Sequence, residues 1–161
     1  GSLTDHYDPR DNSLHLSDDN YRGASVASVA VACHEAGHAI QAAQGFSLYR
    51  LRTALVPAVS FAQQGWALVL LAGILLNVAG LVQLAIALFA VAVVFQLVTL
   101  PVELDASRRA VAYIQASGMS EINVRGARKV LTAAALTYVA AALTSILQLL
   151  YLLGRTSNDR E

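Results

Sequence analysis

Residues 53–102 read TALVPAVSFAQQGWALVLLAGILLNVAGLVQLAIALFAVAVVFQLVTLPV, fifty consecutive positions without an Asp, Glu, Lys, Arg or His. An uncharged apolar stretch of 18 or more residues is typical of a membrane span, because a hydrocarbon core of about 30 Å needs about 20 helical residues. A single helix of fifty residues would be about 75 Å long at 1.5 Å per residue. The stretch therefore predicts two membrane crossings rather than one.

A second uncharged block and the overall composition agree with a membrane protein. Residues 77–80, Asn-Val-Ala-Gly, are the best turn inside the first block, so residues 55–99 are expected to form a transmembrane hairpin. Residues 130–154 are again free of charged residues and His, which predicts a third transmembrane helix at 131–153. The chain is 56% hydrophobic and 14% charged, against about 25% charged residues in soluble domains.

The remaining segments predict a hairpin and two further helices. Residues 1–17 alternate apolar and polar positions around an Asp-Pro turn, as in a short β-hairpin. Residues 25–44 are rich in Ala and are followed by Gly45, which indicates a helix that ends at a glycine. Residues 102–117 form an amphipathic pattern after Pro101, where we expect a kink or a new helix start. We therefore expect a mainly α, multi-pass membrane protein with about three transmembrane helices, folded as one domain.

The sequence HEAGH at residues 34–38 has the His-Glu-x-x-His pattern and lies on the predicted 25–44 helix. The two imidazoles are one turn apart on one face and can supply two of the three protein ligands of a zinc ion. The Glu between them can reach a zinc-bound water and take its proton as the water attacks a carbonyl. We therefore expect His34 and His38 as metal ligands and Glu35 as general base, with one zinc per chain.

A third protein ligand has to come from another segment, and the charge distribution indicates which one. Nine of the eleven Lys and Arg residues lie in 1–52 or 103–129, and loops rich in Lys and Arg face the cytoplasm. A transmembrane hairpin returns the chain to its starting side, so residue 103 is expected on the same membrane face as the motif. The candidates are Glu103 and Asp105, which point about 200° apart on a helix, unless both only stabilise a helix start.

Other features of the sequence exclude some classes of function. The formal net charge is zero, so no nucleic-acid partner is expected. Cys33 is the single cysteine, which excludes an intrachain disulfide. The first 20 residues are polar, so no cleavable signal peptide is expected at the start of this sequence.

Four segments of the chain are specific enough to be compared with a known family. They are LTDHYDPR (3–10), HEAGHAIQ (34–41), LPVELDASRRA (100–110) and RGARKVLTAAALTYVAAAL (125–143). Together, in this order, they resemble the YugP-like bacterial membrane-bound neutral zinc metallopeptidases. The resemblance implies a multi-pass protease of the bacterial plasma membrane, in contact with the lipid bilayer, with zinc as cofactor and a peptide or membrane-protein substrate. Members usually carry a further N-terminal membrane helix and linker, which we expect to be missing here; that helix or another membrane protein is an expected partner.

The family is similar in layout to the HtpX-like and CAAX-type membrane peptidases, which place two spans between the His motif and a Glu-x-x-Ala-Asp helix. Residues 103–107, Glu-Leu-Asp-Ala-Ser, align on that helix. The similarity implies a gluzincin-like site with Glu103 as the third zinc ligand. Ser107 stands where the layout has an Asp that steadies a ligand histidine, so either Ser107 or Asp105 is expected in that role.

Peptide hydrolysis also needs a donor for the developing oxyanion besides zinc. The candidates are polar or cationic residues of the hairpin and of the 102–117 helix: His6, Tyr7, Arg108, Arg109 and Tyr113. The alternatives are lipid headgroup contact for the arginines and simple packing for Tyr113. Peptidases of similar layout bind substrate as an added strand, so the hairpin is the expected substrate cradle.

The expected function is a zinc-dependent endopeptidase that cleaves peptides or membrane proteins at the cytoplasmic surface of the bacterial inner membrane. The alternative is a non-enzymatic membrane adaptor or scaffold whose zinc is structural or absent. In the absence of a metal, His34 and His38 would be core or interface histidines. An intramembrane protease of the site-2 type is less favoured, because its third ligand comes from an Asp-Gly pair and the chain contains none.

Overall fold

The structure is a computed structural model that describes residues 4–158 of the chain. Within this range, two short strands are followed by five helices. Their bounds are β1 His6–Asp8, β2 Ser13–His15, α1 Asp18–Tyr21, α2 Val26–Ala43, α3 Ser47–Leu75, α4 Ala79–Ala116 and α5 Glu121–Asn158. The predicted fold class is confirmed, since the described chain is mainly helical, with an N-terminal hairpin and three long apolar helices.

The two strands form an antiparallel hairpin near the N-terminus. His6 lies opposite His15, and Asp8 lies opposite Ser13. The Asp8 carboxylate accepts a hydrogen bond from the backbone N–H of Arg10 at 2.8 Å. A hydrogen bond from the Asp side chain to the backbone two residues later stabilises a turn. The turn lies at Asp8-Pro9, where the sequence predicts it.

Asp5 ties the hairpin to the short helix α1. Its carboxylate accepts hydrogen bonds from the backbone N–H of Ser17 at 2.7 Å and from the side-chain amide of Asn20 at 2.9 Å. Ser17 is the N-cap of α1, but its side chain makes no capping bond and instead donates to Asp5 at 3.3 Å. The hairpin is therefore held to the following helix by one carboxylate.

Helix α2 carries the His motif and has a defined start and end. Its N-cap Ser25 accepts a hydrogen bond from the backbone N–H of Ser28 at 3.0 Å, which satisfies one of the otherwise unpaired amides of the first turn. Beyond its C-terminal end, Gly45 adopts a φ of 64°, which glycine accepts without a Cβ clash. The observed bounds differ by one residue at each end from the predicted helix at 25–44.

Helices α3 and α4 are joined by a turn at the position that the sequence predicts. Asn77 has a φ of 53°, a left-handed conformation that Asn adopts more readily than most residues. The backbone N–H of Val78 donates to the carbonyl of Gly73 at 2.9 Å, which closes the end of α3. Both helices are longer than the predicted hairpin at 55–99, because α3 begins at Ser47 and α4 continues to Ala116.

Pro101 does not begin a new helix, which was one of the two outcomes expected there, the other being a kink. Helix α4 continues through this proline, so the predicted helix at 102–117 is the C-terminal part of α4. In the same way, the predicted span at 131–153 is the apolar part of the longer α5. A proline removes one backbone donor and crowds the preceding turn, but the side chains of Val102 and Ala106 on the following turn are fully buried. Burial of this face offsets the local cost of the proline.

Three described helices are long and apolar enough to cross a membrane: Ser47–Leu75, Ala79–Ala116 and Glu121–Thr156. Their mean hydropathies are 1.6, 2.6 and 1.9. Many of their large apolar side chains are exposed; Phe61 and Leu75 are each 74% exposed. Exposed apolar surface of this extent is typical of a surface that faces lipid.

The described backbone forms two compact units. The first consists of the described parts of 1–50 and 100–137, and the second of the described parts of 51–99 and 138–161. The core of the first unit consists of small and branched side chains: Ala30, Ala110, Ile114, Val124, Ala127 and Leu131. All three residues predicted as metal ligands belong to the first unit.

Candidate metal centre

Helix α2 presents two imidazoles on one face. His34 and His38 lie one turn apart, their ring centroids are 4.9 Å apart, and their ring planes are nearly perpendicular at 83°. His38 is only 6% exposed, and its ring lies 6.1 Å from the ring of buried Tyr49. One ring is therefore buried against an aromatic residue, while the other is partly open.

Helix α4 brings a buried carboxylate to both rings. Glu103 is 2% exposed; its Oε2 lies 3.0 Å from Nε2 of His34, and its Oε1 lies 3.6 Å from Nε2 of His38. One ligand atom from each of the three residues lies within 4.8 Å of the other two. A carboxylate and two imidazoles that converge in this way have the donor set of catalytic zinc sites.

This convergence depends on a close approach between α2 and α4. A Cβ added at Gly37 would lie 2.8 Å from the backbone carbonyl oxygen of Ala106 and 3.1 Å from its Cα. Contacts this short do not occur for real side chains, so only glycine fits at this position. The glycine inside the His motif therefore lets the α4 backbone, and with it Glu103, lie against the face that carries the histidines.

The far nitrogen of each histidine also has a partner. Nδ1 of His34 lies 3.1 Å from Oγ of Ser107. Nδ1 of His38 donates to Oε1 of Gln41, which accepts at 2.9 Å. Metal-binding histidines usually have such an outer partner, because it fixes the tautomer and the ring orientation.

Gln41 connects His38 to a second carboxylate. Its side chain is fully buried, and its amide nitrogen donates to the carbonyl of Val102 at 2.9 Å and to Oδ2 of Asp105 at 2.8 Å. Asp105 in turn accepts from Nε of Arg109 at 2.6 Å. Asp105 is thus linked to His38 through Gln41, whereas Ser107 contacts His34 directly.

Glu35 lies beside the cluster, and the hairpin contacts it. The backbone N–H of Tyr7 donates to Oε2 of Glu35 at 3.2 Å. Burial raises the pKa of the Glu35 carboxyl above its ordinary value; the two histidines act in the opposite direction, and the charge of Glu103 raises this pKa further. Its surroundings therefore favour a protonated Glu35 more than water does.

The side chains predicted as oxyanion or substrate contacts have other neighbours than the His-His-Glu cluster. The ring of His6 stacks on that of His15 with centroids 4.7 Å apart, and the hydroxyl of Tyr7 donates to Asn12 at 2.8 Å. Arg108 is exposed and lines a surface cavity with Ser107, and Tyr113 is 66% exposed. Besides Asp105, Arg109 also donates to Gln44, at 2.7 Å, so its guanidinium is already engaged.

The structure therefore groups His34, His38 and Glu103, places Glu35 and Ser107 next to them, and leaves the oxyanion candidates at the periphery. Sequence reasoning missed Gln41. The available signal was its position three residues after His38 on a helix, which places the two side chains on neighbouring turns of one face.

The fold and this cluster define a class: a helical protein with three helices long and apolar enough to cross a membrane, and with a His-His-Glu cluster whose donor set suits zinc. Comparison with known proteins identifies the family within that class. A family model described as "Putative neutral zinc metallopeptidase" matches residues 1–157, and the chain belongs to this family. The zinc, protease and membrane character predicted from the sequence is thereby confirmed at the level of the family.

One relative of known name supports the same assignment. The chain is 46% identical over 164 residues to "Putative membrane protease YugP" of Bacillus subtilis (strain 168), an alignment that covers 98% of this chain and 73% of the relative. No solved structure gives a significant match.

Proposed function

We propose that the protein is a zinc-dependent endopeptidase that cleaves peptides or membrane proteins at the cytoplasmic surface of the bacterial plasma membrane. The observation that carries this proposal is the convergence of His34, His38 and Glu103, with ligand atoms within 4.8 Å of one another, next to a fourth side chain, Glu35, that is free to act as a base. A purely structural centre would not need that second carboxylate.

The residues present fit a zinc ion. The set of two imidazoles and one carboxylate leaves a fourth tetrahedral position open, as catalytic zinc sites require. Ser107 and Gln41 hold the two Nδ1 atoms, so each ring directs its Nε2 toward Glu103. Zinc bound at such a centre acts as a Lewis acid and makes water a stronger nucleophile near neutral pH.

Glu35 is the general base of the proposal. Its partly buried carboxylate takes a proton from the attacking water and passes it to the leaving amine. The hydrogen bond from the Tyr7 backbone orients one carboxylate oxygen, which leaves the other for the water.

The free edge of β1 is the proposed substrate cradle. Tyr7 lies opposite Leu14 in the hairpin, yet its N–H is directed to Glu35 rather than to β2. The edge of β1 that points away from β2 therefore faces the base, and a peptide added there as a strand would place its backbone beside Glu35. Tyr7 contributes through its backbone in this arrangement, and His6 and Arg108 remain the proposed side-chain contacts to substrate.

The decisive experiment compares metal content and cleavage in purified, detergent-solubilised variants. After dialysis, the wild type retains one tightly bound zinc, Glu103→Ala loses it, and Glu35→Gln keeps it while cleavage of a denatured membrane protein falls by about 10²–10⁴-fold. Glu121→Gln, an exposed glutamate in the first turn of α5, is the control and changes neither quantity. Full cleavage by Glu35→Gln would refute the proposed base, and bound zinc without any cleavage in the wild type would favour the adaptor alternative.

A further inference from the structure

The hairpin carries a second cluster of metal-binding side chains, separate from the centre on α2 and α4. His6 and Asp8 from β1 and His15 from β2 each offer a ligand atom, and these atoms lie within 4.8 Å of one another. His6 and His15 are opposite each other in the register, with their rings parallel to within 6°. We propose that this cluster is a second site for a divalent transition-metal ion, with two imidazole ligands and one carboxylate ligand.

The hydrogen bonds of the two rings support this proposal. Nδ1 of His6 donates to the carbonyl of Thr4 at 2.7 Å, and Nε2 of His15 lies 3.1 Å from a carboxylate oxygen of Asp11 and 2.9 Å from the hydroxyl of Ser13. One nitrogen of each ring is thus held by an acceptor, so the other one, Nε2 of His6 or Nδ1 of His15, would be the nitrogen that binds a metal. A carbonyl or carboxylate on the far nitrogen is the usual arrangement around ligand histidines.

The carboxylate of the cluster is fixed in place, while its neighbours can adjust. Asp8 is 9% exposed and accepts from Nε and Nη2 of Arg10 at 2.6–3.1 Å. Arg10 is the competing cation at this carboxylate, but its side chain is 88% exposed and can move away. His6 and His15 are exposed as well, so their rings can close on an ion. Imidazole with carboxylate suits Zn²⁺, Ni²⁺ and Cu²⁺ better than Mg²⁺ or Ca²⁺.

A metal here would join the two strands of a hairpin that is otherwise weakly held. Each strand has only three residues, and an isolated two-stranded hairpin is marginally stable in water. Tyr7, between ligands His6 and Asp8, donates its N–H to Glu35. The ion would therefore fix the β1 edge beside the base. This consequence rests on the proposed function, whereas the metal binding itself does not.

The test counts zinc ions in the full chain at buffered free Zn²⁺ concentrations. As free zinc is raised, the wild type binds a second ion after the tight one, because the hairpin site is more exposed. His15→Asn loses this second ion and keeps the first. Asp18→Asn, which removes a nearby exposed carboxylate outside the cluster, keeps both ions and controls for unspecific surface binding. The double variant His34→Asn/His38→Asn keeps only the weaker ion.

Saturation of the wild type at one ion, with that ion lost in His34→Asn/His38→Asn, would overturn the proposal. Two ions retained in His15→Asn would also overturn it. A single ion that His15→Asn removes would support the hairpin site and refute the buried centre, so the two failures can be told apart. A measurement on the wild type tests the site even if the variants do not fold. Added Zn²⁺ should protect His6 and His15 from acylation by diethyl pyrocarbonate. Unchanged acylation of both residues would refute the site.

Discussion

At the scale of single residues, the proposed zinc centre should depend on the partners of His34 and His38 as much as on the two histidines themselves. His34 has a serine at its far nitrogen, and His38 has a glutamine that is itself held by Val102 and Asp105. A neutral serine polarises an imidazole less than a carboxylate does. Of the two proposed ligands, His38 is held more firmly. Its partner Gln41 is fully buried and makes three hydrogen bonds.

Replacing Gln41 with Ala tests this support. The change leaves Nδ1 of His38 without its acceptor and Asp105 without one donor, so we expect zinc affinity to fall about 10–100-fold. The measurement is competition for zinc against a chelator of known affinity. Gln115→Ala is the matched control, since Gln115 is an exposed glutamine on α4. Equal affinities of Gln41→Ala and wild type would show that the bond to His38 does not support zinc binding.

The residues of the centre differ in how far the sequence reveals them. The spacing of His34, Glu35 and His38 identifies them at once, because helical geometry alone places both rings on one face. Glu103 could be predicted as the third ligand only from its resemblance to the family layout, because the spacing of the residues did not distinguish Glu103 from Asp105. The spacing of Gln41 from His38 was a weak signal, because glutamine on a helix is usually exposed. What makes Gln41 important is its contacts with residues 61 and 64 positions away, and the sequence does not show these.

At the scale of elements, a single glycine sets the distance between α2 and α4. Any side chain at Gly37 meets backbone atoms of Ala106, which belong to a helix and cannot rotate away. Gly37→Ala should therefore separate the two helices, destabilise the protein by about 1–3 kcal/mol and weaken zinc binding. Thermal unfolding and zinc content measure the two effects.

Gly65→Ala is the control for this change. Gly65 is also inside a helix, α3, but a Cβ there has no neighbour within 4 Å. Alanine favours a helix by about 1 kcal/mol over glycine, so this variant should keep or raise the melting temperature. If both variants bound zinc like the wild type, close packing at Gly37 would not be what positions Glu103.

Two carboxylates hold the hairpin, Glu35 through the Tyr7 amide and Asp5 through helix α1. Asp5 accepts bonds from both Ser17 and Asn20, so Asp5→Ala should release the hairpin from α1 and speed hydrogen exchange at the Tyr7 amide, which Glu35 otherwise protects. Asp19→Ala, an exposed acid on α1, should leave that exchange unchanged. An equally protected Tyr7 amide in Asp5→Ala would mean that the contact with Glu35 holds the hairpin without this anchor.

The continuity of helix α4 shows that packing with residues distant in sequence can override a local sequence signal. Pro101 is a local signal for a kink or a new helix start, yet no new helix begins there. The buried side chains of Val102 and Ala106 lie on the turn that follows, and this burial depends on residues distant in sequence. The turn at Asn77 was predictable, because its cause is local: a residue that tolerates a positive φ.

At the scale of the whole molecule, three apolar helices and the Lys and Arg distribution set the expected membrane orientation. Nine of the eleven basic residues lie in residues 1–52 or 103–129, outside the uncharged stretches of the three helices, and basic segments beside membrane spans remain in the cytoplasm. Helix α4, with 38 residues, is about 57 Å long at 1.5 Å per residue, more than enough to cross a bilayer. The loop before it and the loop after it should therefore lie on opposite sides.

Cysteine labelling in intact bacteria tests this orientation. In a Cys33→Ala background, Val78→Cys places a thiol in the turn before α4, and Ser120→Cys places one in the loop after it. A membrane-impermeant maleimide should label Val78→Cys in intact cells and Ser120→Cys only after permeabilisation, so each variant is the control for the other. The reversed pattern would place the His-His-Glu centre outside the cytoplasm and refute the proposed location. Labelling of both thiols in intact cells would mean that α4 does not cross the membrane, and the basic segments could then no longer be assigned to one side by the positive-inside rule.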